Sequence, residues 1–169
     1  MPIWMESVRI SSEKVLAFKE IWDNYSTGDI VPLRNAFNPA QFPRLMPHIV
    51  ISEIQPDPFQ VTYRLVGTLV SEISRFDFTG TTLNDLDFAA ADDNIWMACH
   101  KIIYESRKPV YGRMNIPHEQ ESLHAIPEEF GIFPVSHDGK NVHQTIAIED
   151  YLPPDKTDLT QGKPMHPRS

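Results

Sequence analysis

Between Ser12 and Tyr25 the apolar residues Val15, Phe18, Trp22 and Tyr25 recur at spacings of three and four, while Glu13, Lys19 and Asp23 fall elsewhere on the wheel. That period predicts one amphipathic helix. Ser12 can cap its orphan amides, Glu13 suits its positive end, and Gly28 can supply a left-handed stop. Prolines at 32, 39, 43 and 47 then remove backbone donors, so the stretch from Pro32 to Pro47 reads as an ordered loop. His48 to Ile54 and Gln60 to Val66 are short runs rich in Val, Ile and Tyr. The turn composition of Gln55-Pro56-Asp57-Pro58 separates them, which predicts a hairpin.

After Gly67 the spacing of Leu69, Ile73 and Phe76 becomes helical, and Leu83 to Asp87 reads as a further short turn. Asp92 or Asp93 can cap a longer helix to about Arg107, with Ile95, Cys99, Ile102 and Ile103 on its apolar face and Pro109 just beyond. Three strands are predicted next: Val110 to Pro117, Glu129 to Ser136, and Val142 to Glu149. Asp138-Gly139 joins the last two as a hairpin signal, because Gly takes a positive φ without a Cβ clash. With no helix between them these strands pair antiparallel. The expected fold is therefore α+β: a five-stranded antiparallel sheet, helices on one face, and the helix at 12–25 on the other face or at the sheet edge. Residues 1–150 make one domain, and the proline-rich stretch 151–169 reads as a flexible tail.

Composition narrows the function classes. A chain of 169 residues with 41% hydrophobic content supports one core. Its net charge of -8 repels phosphate backbones, which argues against nucleic acid as a direct partner. No run approaches the ~20 apolar residues that span a bilayer, and the start lacks a basic region followed by an apolar run, so the expectation is a cytoplasmic chain without membrane contact. The single cysteine, Cys99, can form neither an internal disulfide nor a cysteine-rich zinc site.

Local motifs add a resemblance. Tyr63-Arg64-Leu65-Val66-Gly67-Thr68, followed by Phe78-Thr79-Gly80 and Leu83, resembles a family of small single-domain bacterial proteins of the PAS group. Leu33-Arg34, Asn38-Pro39 and Leu45-Met46-Pro47 are similar to that family's loop before the first strand. Arg107-Lys108-Pro109-Val110 and Phe133-Pro134-Val135-Ser136-His137-Asp138-Gly139 are similar to its later landmarks. The likeness spans about Trp22 to Glu149, with one departure at Arg75, where the family pattern has glycine. The resemblance implies a sensory module that holds a small molecule between sheet and helices and passes its signal to a protein partner or a second copy of itself.

Candidate site residues follow. Arg64, near Tyr63 and Thr68, could hold a carboxylate or phosphate bidentately, or make a structural salt bridge. Alternation along the strand sets Arg64 opposite in facing to Tyr63 and Leu65. Trp96, His100 and Tyr104 recur every four residues as one stripe on the long helix. In haem-binding PAS domains an equivalent helix supplies the axial histidine, which makes His100 the residue to test, against a hydrogen-bonded core histidine. Cys99 lacks the flavin-cysteine setting of light-sensing relatives and is expected to pack. His118 and His124, and His137 and His143, lie six apart; a tight turn at Asp138-Gly139 would make the latter pair diverge, so no metal site is expected. Asp85, Asp87, Asp92 and Asp93 read as capping and solvated. Phe18, Trp22 and Tyr25 either pack on the sheet or form a partner or homodimer surface. With no phosphate-binding glycine loop or nucleophile elbow, an enzyme is not expected; the alternatives are a ligand-free interaction adaptor and a small cone-shaped α+β isomerase or hydrolase using Asp and Tyr in an apolar cavity.

Overall fold

In the computed structural model, which describes residues 3–86, 95–116 and 126–152, Ser12 caps the first helix, α1 (Glu13–Tyr25), by accepting a hydrogen bond from the Val15 amide. The helix stops at Ser26, whose amide donates to the carbonyls of Trp22 and Asp23. Gly28 takes its left-handed conformation two residues later and so is not itself the stop. Short 3-10 turns fill the proline-rich stretch that follows, as its missing amide donors require.

The strands are β1 (Ile3–Trp4), β2 (Ile49–Pro56), β3 (Phe59–Val66), β4 (Val110–Ile116), β5 (Ile126–Val135) and β6 (Gln144–Tyr151). They form one antiparallel sheet in the order β1-β4-β5-β6-β2-β3. The sheet thus has six strands rather than five. The extra one is a two-residue edge pairing of Ile3 and Trp4 with Gly112 and Tyr111, too short to leave an alternation in the sequence. Helices α2 (Thr68–Ser74) and α3 (Ile95–Ser106) follow the β2–β3 hairpin. The proposed caps Asp92 and Asp93, the acid Asp87, the pair His118 and His124, and residues 153–169 of the expected tail lie outside the described residues.

Two apolar layers sandwich the sheet. On one face Val50, Ile54, Val61, Tyr63, Phe130, Ile132 and Ala147 pack with Val70, Cys99 and Ile103. On the other, Ile49, Ile51, Tyr111, Phe133, Val135, Ile146 and Ile148 pack with Val15, Phe18 and Trp22 of α1. The N-terminal helix therefore covers the face opposite α3, one of the two placements expected for it.

That packing is tied by polar groups as well. Glu129, buried in β5, accepts from the amides of Ser11 (2.8 Å) and Ser12 (2.9 Å), from the Ser11 hydroxyl (2.7 Å) and from Arg113. The Ser12 hydroxyl in turn donates to Asp150 at 2.6 Å. Burial pushes the Glu129 carboxyl up, but these hydrogen bonds outweigh it and hold the group below its ordinary range. One carboxylate thus fastens the start of α1 to the middle of the sheet.

Two landmarks of the sequence pattern have local causes. A Cβ at Gly67 would sit 2.4 Å from the Pro47 carbonyl oxygen, so only glycine fits where β3 turns into α2. Arg75, the departure noted in the sequence, ends α2 with φ 65, the left-handed conformation that glycine adopts without strain.

Candidate functional site

The register of β5 and β6 decides which side chains meet under α3. Glu128 pairs with Tyr151 and Phe130 with Glu149, so Glu128, Phe130, Glu149 and Tyr151 share one face. Phe130 belongs to the layer that packs with α3. The two glutamates therefore stand diagonally across neighbouring strands on the face that α3 covers.

Glu128 is enclosed, whereas Glu149 and Tyr151 are partly exposed. Glu128 is 1% exposed, and its Oε1 has no hydrogen-bond partner. Glu149 Oε2 accepts from the Tyr151 hydroxyl at 3.2 Å. Burial pushes the Glu149 carboxyl up to about 7, against the weaker downward pull of Tyr151. Burial, and then the charge of Glu149, raise Glu128 well above the carboxylate range. Tyr63 and Tyr151 are raised too, first by burial and then by Glu149. The group consists of carboxyls and phenols that resist carrying charge together.

His100 is a further polar group on this face, set over Thr145, four residues along β6 from Glu149. It is buried, with Nδ1 2.7 Å from the Trp96 carbonyl and Nε2 3.1 Å from the Thr145 hydroxyl. A carbonyl only accepts, so Nδ1 carries the proton and Nε2 accepts from Thr145. Burial lowers its pKa to about 4, which keeps the ring neutral. Both nitrogens are thus committed within the protein, and axial ligation of a haem would have to displace Thr145 from Nε2.

The remaining stripe residues also face the sheet. Trp96 lies 4.7 Å from Phe130, and Tyr104 meets Phe59 edge-on at 5.8 Å, ring centroid to centroid. Cys99 is fully buried, and burial pushes its thiol up to about 12, so it packs as a thiol.

The trio Tyr63, Arg64 and Thr68 is not brought together. Tyr63 points inward against Phe78 at 4.7 Å, whereas Arg64 is exposed and donates to Glu53 at 2.8 Å, and Thr68 is an exposed first residue of α2. The reason is a β-bulge: Ile51 pairs with Leu65 and Ser52 with Tyr63, leaving Arg64 as the extra residue. Tyr63 and Leu65 consequently face opposite layers, which corrects the simple alternation expected of them. Arg64 takes the salt-bridge role, because β3 is the sheet edge and its bulged residue turns to solvent.

Two further expectations are corrected. Phe18 and Trp22 are buried, and Trp22 Nε1 donates to the Pro134 carbonyl at 2.8 Å, so of the α1 stripe only Tyr25, half exposed, is open to a partner. His137 and His143 do not diverge: their rings lie 4.8 Å apart. The connection runs from Ser136 to His143 instead of turning tightly at Asp138-Gly139, and His143 Nδ1 accepts from the His137 amide at 3.0 Å. Among the described residues no group of three or more His, Cys, Asp or Glu is placed to hold a metal.

Sequence reasoning missed Glu128, Glu149 and Tyr151. The available signal was a pair of adjacent acids in each strand, Glu128-Glu129 and Glu149-Asp150, of which alternation sets the first member on the α3 side.

The six-stranded antiparallel sheet with α2 and α3 following its first hairpin is an α+β fold of the PAS type. The model of the family described as PAS domain matches residues 10–145, so the chain belongs to the PAS family, a family of sensory modules. The chain is similar in fold to a structure described as "Flavin Analogue Sheds Light on Light-Oxygen-Voltage Domain Mechanism", with TM-score 0.51 and 10% identity over 72% of this chain and 88% of that one. It is also similar to the light state of the blue-light photoreceptor Aureochrome1 LOV, with TM-score 0.48 and 10% identity over 70% of this chain and 91% of that one. The comparison with curated proteins found no match. No described helix is long and apolar enough to cross a membrane.

Proposed function

We propose that this PAS domain senses a small molecule held between α3 and the sheet, at Trp96, His100, Glu128, Glu149 and Tyr151, and reports its presence to a protein partner. The single observation that carries this reading is the unpartnered, buried oxygen of Glu128 on the α3 face. A buried acceptor without a donor costs about 1–3 kcal/mol, a cost that a bound molecule would relieve. The test is native mass spectrometry of the purified protein with an absorbance scan, followed by NMR of the His100 ring and Trp96 indole. A retained or added molecule that shifts both signals supports the reading. Signals that respond to no compound in a broad metabolite screen overturn it.

The interaction-adaptor reading has an observation of its own. A groove of about 440 Å³ lies between the N-terminal segment, α1 and the α3–β4 turn, rimmed by the exposed apolar residues Met5, Val8 and Ile30. Val8 is 83% exposed, which favours contact with a partner. Capture of a partner by wild type and not by Val8→Asp would favour it. Trp22→Asp is the wrong probe, because that side chain is core.

A further inference from the structure

The same face carries a more specific chemistry, an inference that rests on the ligand-sensing reading. Two carboxyls stand diagonally on β5 and β6, one oxygen of Glu128 is unpartnered, and both flank Phe130, the ring against which Trp96 of α3 packs. Among the described residues, the cations paired with acids of these strands serve the opposite face, where Arg113 pairs with Glu129 and Lys14 with Asp150 at 3.6 Å. A sheet that needed only packing here would continue the apolar series of Phe130, Ile132 and Ala147. Instead it retains two acids with no cation paired to either among the described residues.

We infer that the ligand is a small organic cation, bearing an ammonium, amidinium or guanidinium group that seats between Glu128 and Glu149 with its apolar part against Trp96 and Phe130. A cation with N–H donors fits this set for three reasons. It supplies the donor that Glu128 Oε1 lacks. It turns the mutual repulsion of the two carboxylates into shared attraction. Its less hydrated, delocalised charge tolerates aromatic neighbours, as cation–π contacts show. A hard divalent metal fits poorly, since it asks for six or more oxygens and these residues offer two carboxyls and a phenol.

Binding should also displace a proton. Burial favours the protonated form of both carboxyls, with Glu149 pushed up to about 7, and a bound cation would favour the ionised form instead. Among the described residues the other titratable groups packed on this face are Tyr63 of β3, Tyr151 of β6, and Cys99, His100 and Tyr104 of α3; burial raises Tyr63, Tyr151 and Cys99 and lowers His100, so these four stay neutral from pH 6 to 8.

The experiment is isothermal titration of the full chain with butylammonium and butylguanidinium, with butanol as the neutral isostere and Mg²⁺ and Ca²⁺ as hard cations. Wild type, Glu128→Gln and Glu149→Gln are compared, each checked for native circular dichroism. The expected result is saturable binding of at least one organic cation, tightening about tenfold from pH 6 to 7.5, with proton release seen as a heat that differs between phosphate and Tris buffers. Either variant should weaken it at least tenfold. Wild-type titration alone keeps the inference falsifiable should a variant not fold. No binding of either organic cation, equal binding of butanol, preferential binding of a metal ion, or unchanged affinity in the folded variants overturns it. If a neutral or anionic compound meanwhile shifts the His100 and Trp96 signals, the sensing reading stands and only the cationic ligand falls.

Discussion

Replacing Glu149 with glutamine should make the protein more stable at neutral pH, by an amount set by how hard the fold resists that charge. Glutamine keeps the shape, and its carbonyl can still accept the Tyr151 hydroxyl, but it cannot ionise. Burial raises Glu149 from its ordinary 4.5 to about 7. At about 1.4 kcal/mol per pH unit, ionising it in the folded protein costs about 3 kcal/mol more than in the unfolded chain. The sign follows from the raised value: stability is fully present below pH 4.5 and is lost as pH rises through 7. His100 acts in the opposite sense. Its pKa is lowered from 6.5 to about 4, so its contribution is fully present above pH 6.5 and is lost as pH falls through 4, again by about 3 kcal/mol.

Between pH 4.5 and 6.5 these two slopes oppose each other, so the wild-type profile alone is nearly flat and says little. The difference between variant and wild type is diagnostic, because His100 is common to both and cancels. Urea denaturation followed by circular dichroism at pH 5, 6, 7 and 8 should show the Glu149→Gln advantage growing from about 1 kcal/mol at the lowest pH to about 3 kcal/mol at the highest. Relief of Glu128 from its charged neighbour acts in the same direction. A difference independent of pH, or a variant less stable than wild type at pH 8, would refute the reasoning.

Three other substitutions probe the frame around the site. Glu129→Ala leaves two amides, a hydroxyl and Arg113 without their acceptor at the start of α1; a loss of about 3–5 kcal/mol in urea denaturation is expected, and a loss under 1 kcal/mol would show that α1 is held by packing alone. Gly67→Ala must push the Pro47 carbonyl away, which should cost about 1–3 kcal/mol, whereas an unchanged melting temperature would mean the β3–α2 junction yields freely. Arg75→Gly relieves a left-handed non-glycine residue and should raise stability by about 1 kcal/mol; a fall of that size would show that the arginine side chain contributes more than its backbone strain costs.

The frame itself was largely legible because its signals are local. The 3-4 spacing of Val15, Phe18 and Trp22, the Ser12 cap, and the five longer strands each depend on residues close in sequence, and their order is that of the PAS family to which the chain belongs. The site was less legible because it depends on pairing. One extra residue at Arg64 turns Tyr63 inward and Leu65 to the other layer, and nothing in the run Val61 to Val66 marks which residue is the extra one. Adjacent acids at Glu128 and Glu129 look alike as text. Yet one binds the start of α1 as an anion, while the other is buried with an oxygen unpartnered, solely because β5 is covered on both faces. His100 shows the converse: its stripe was visible, but the Thr145 hydroxyl that occupies its Nε2 comes from a strand 45 residues away. Periodicity tells where a side chain stands on its own element, and function here is decided by what the neighbouring element sets against it.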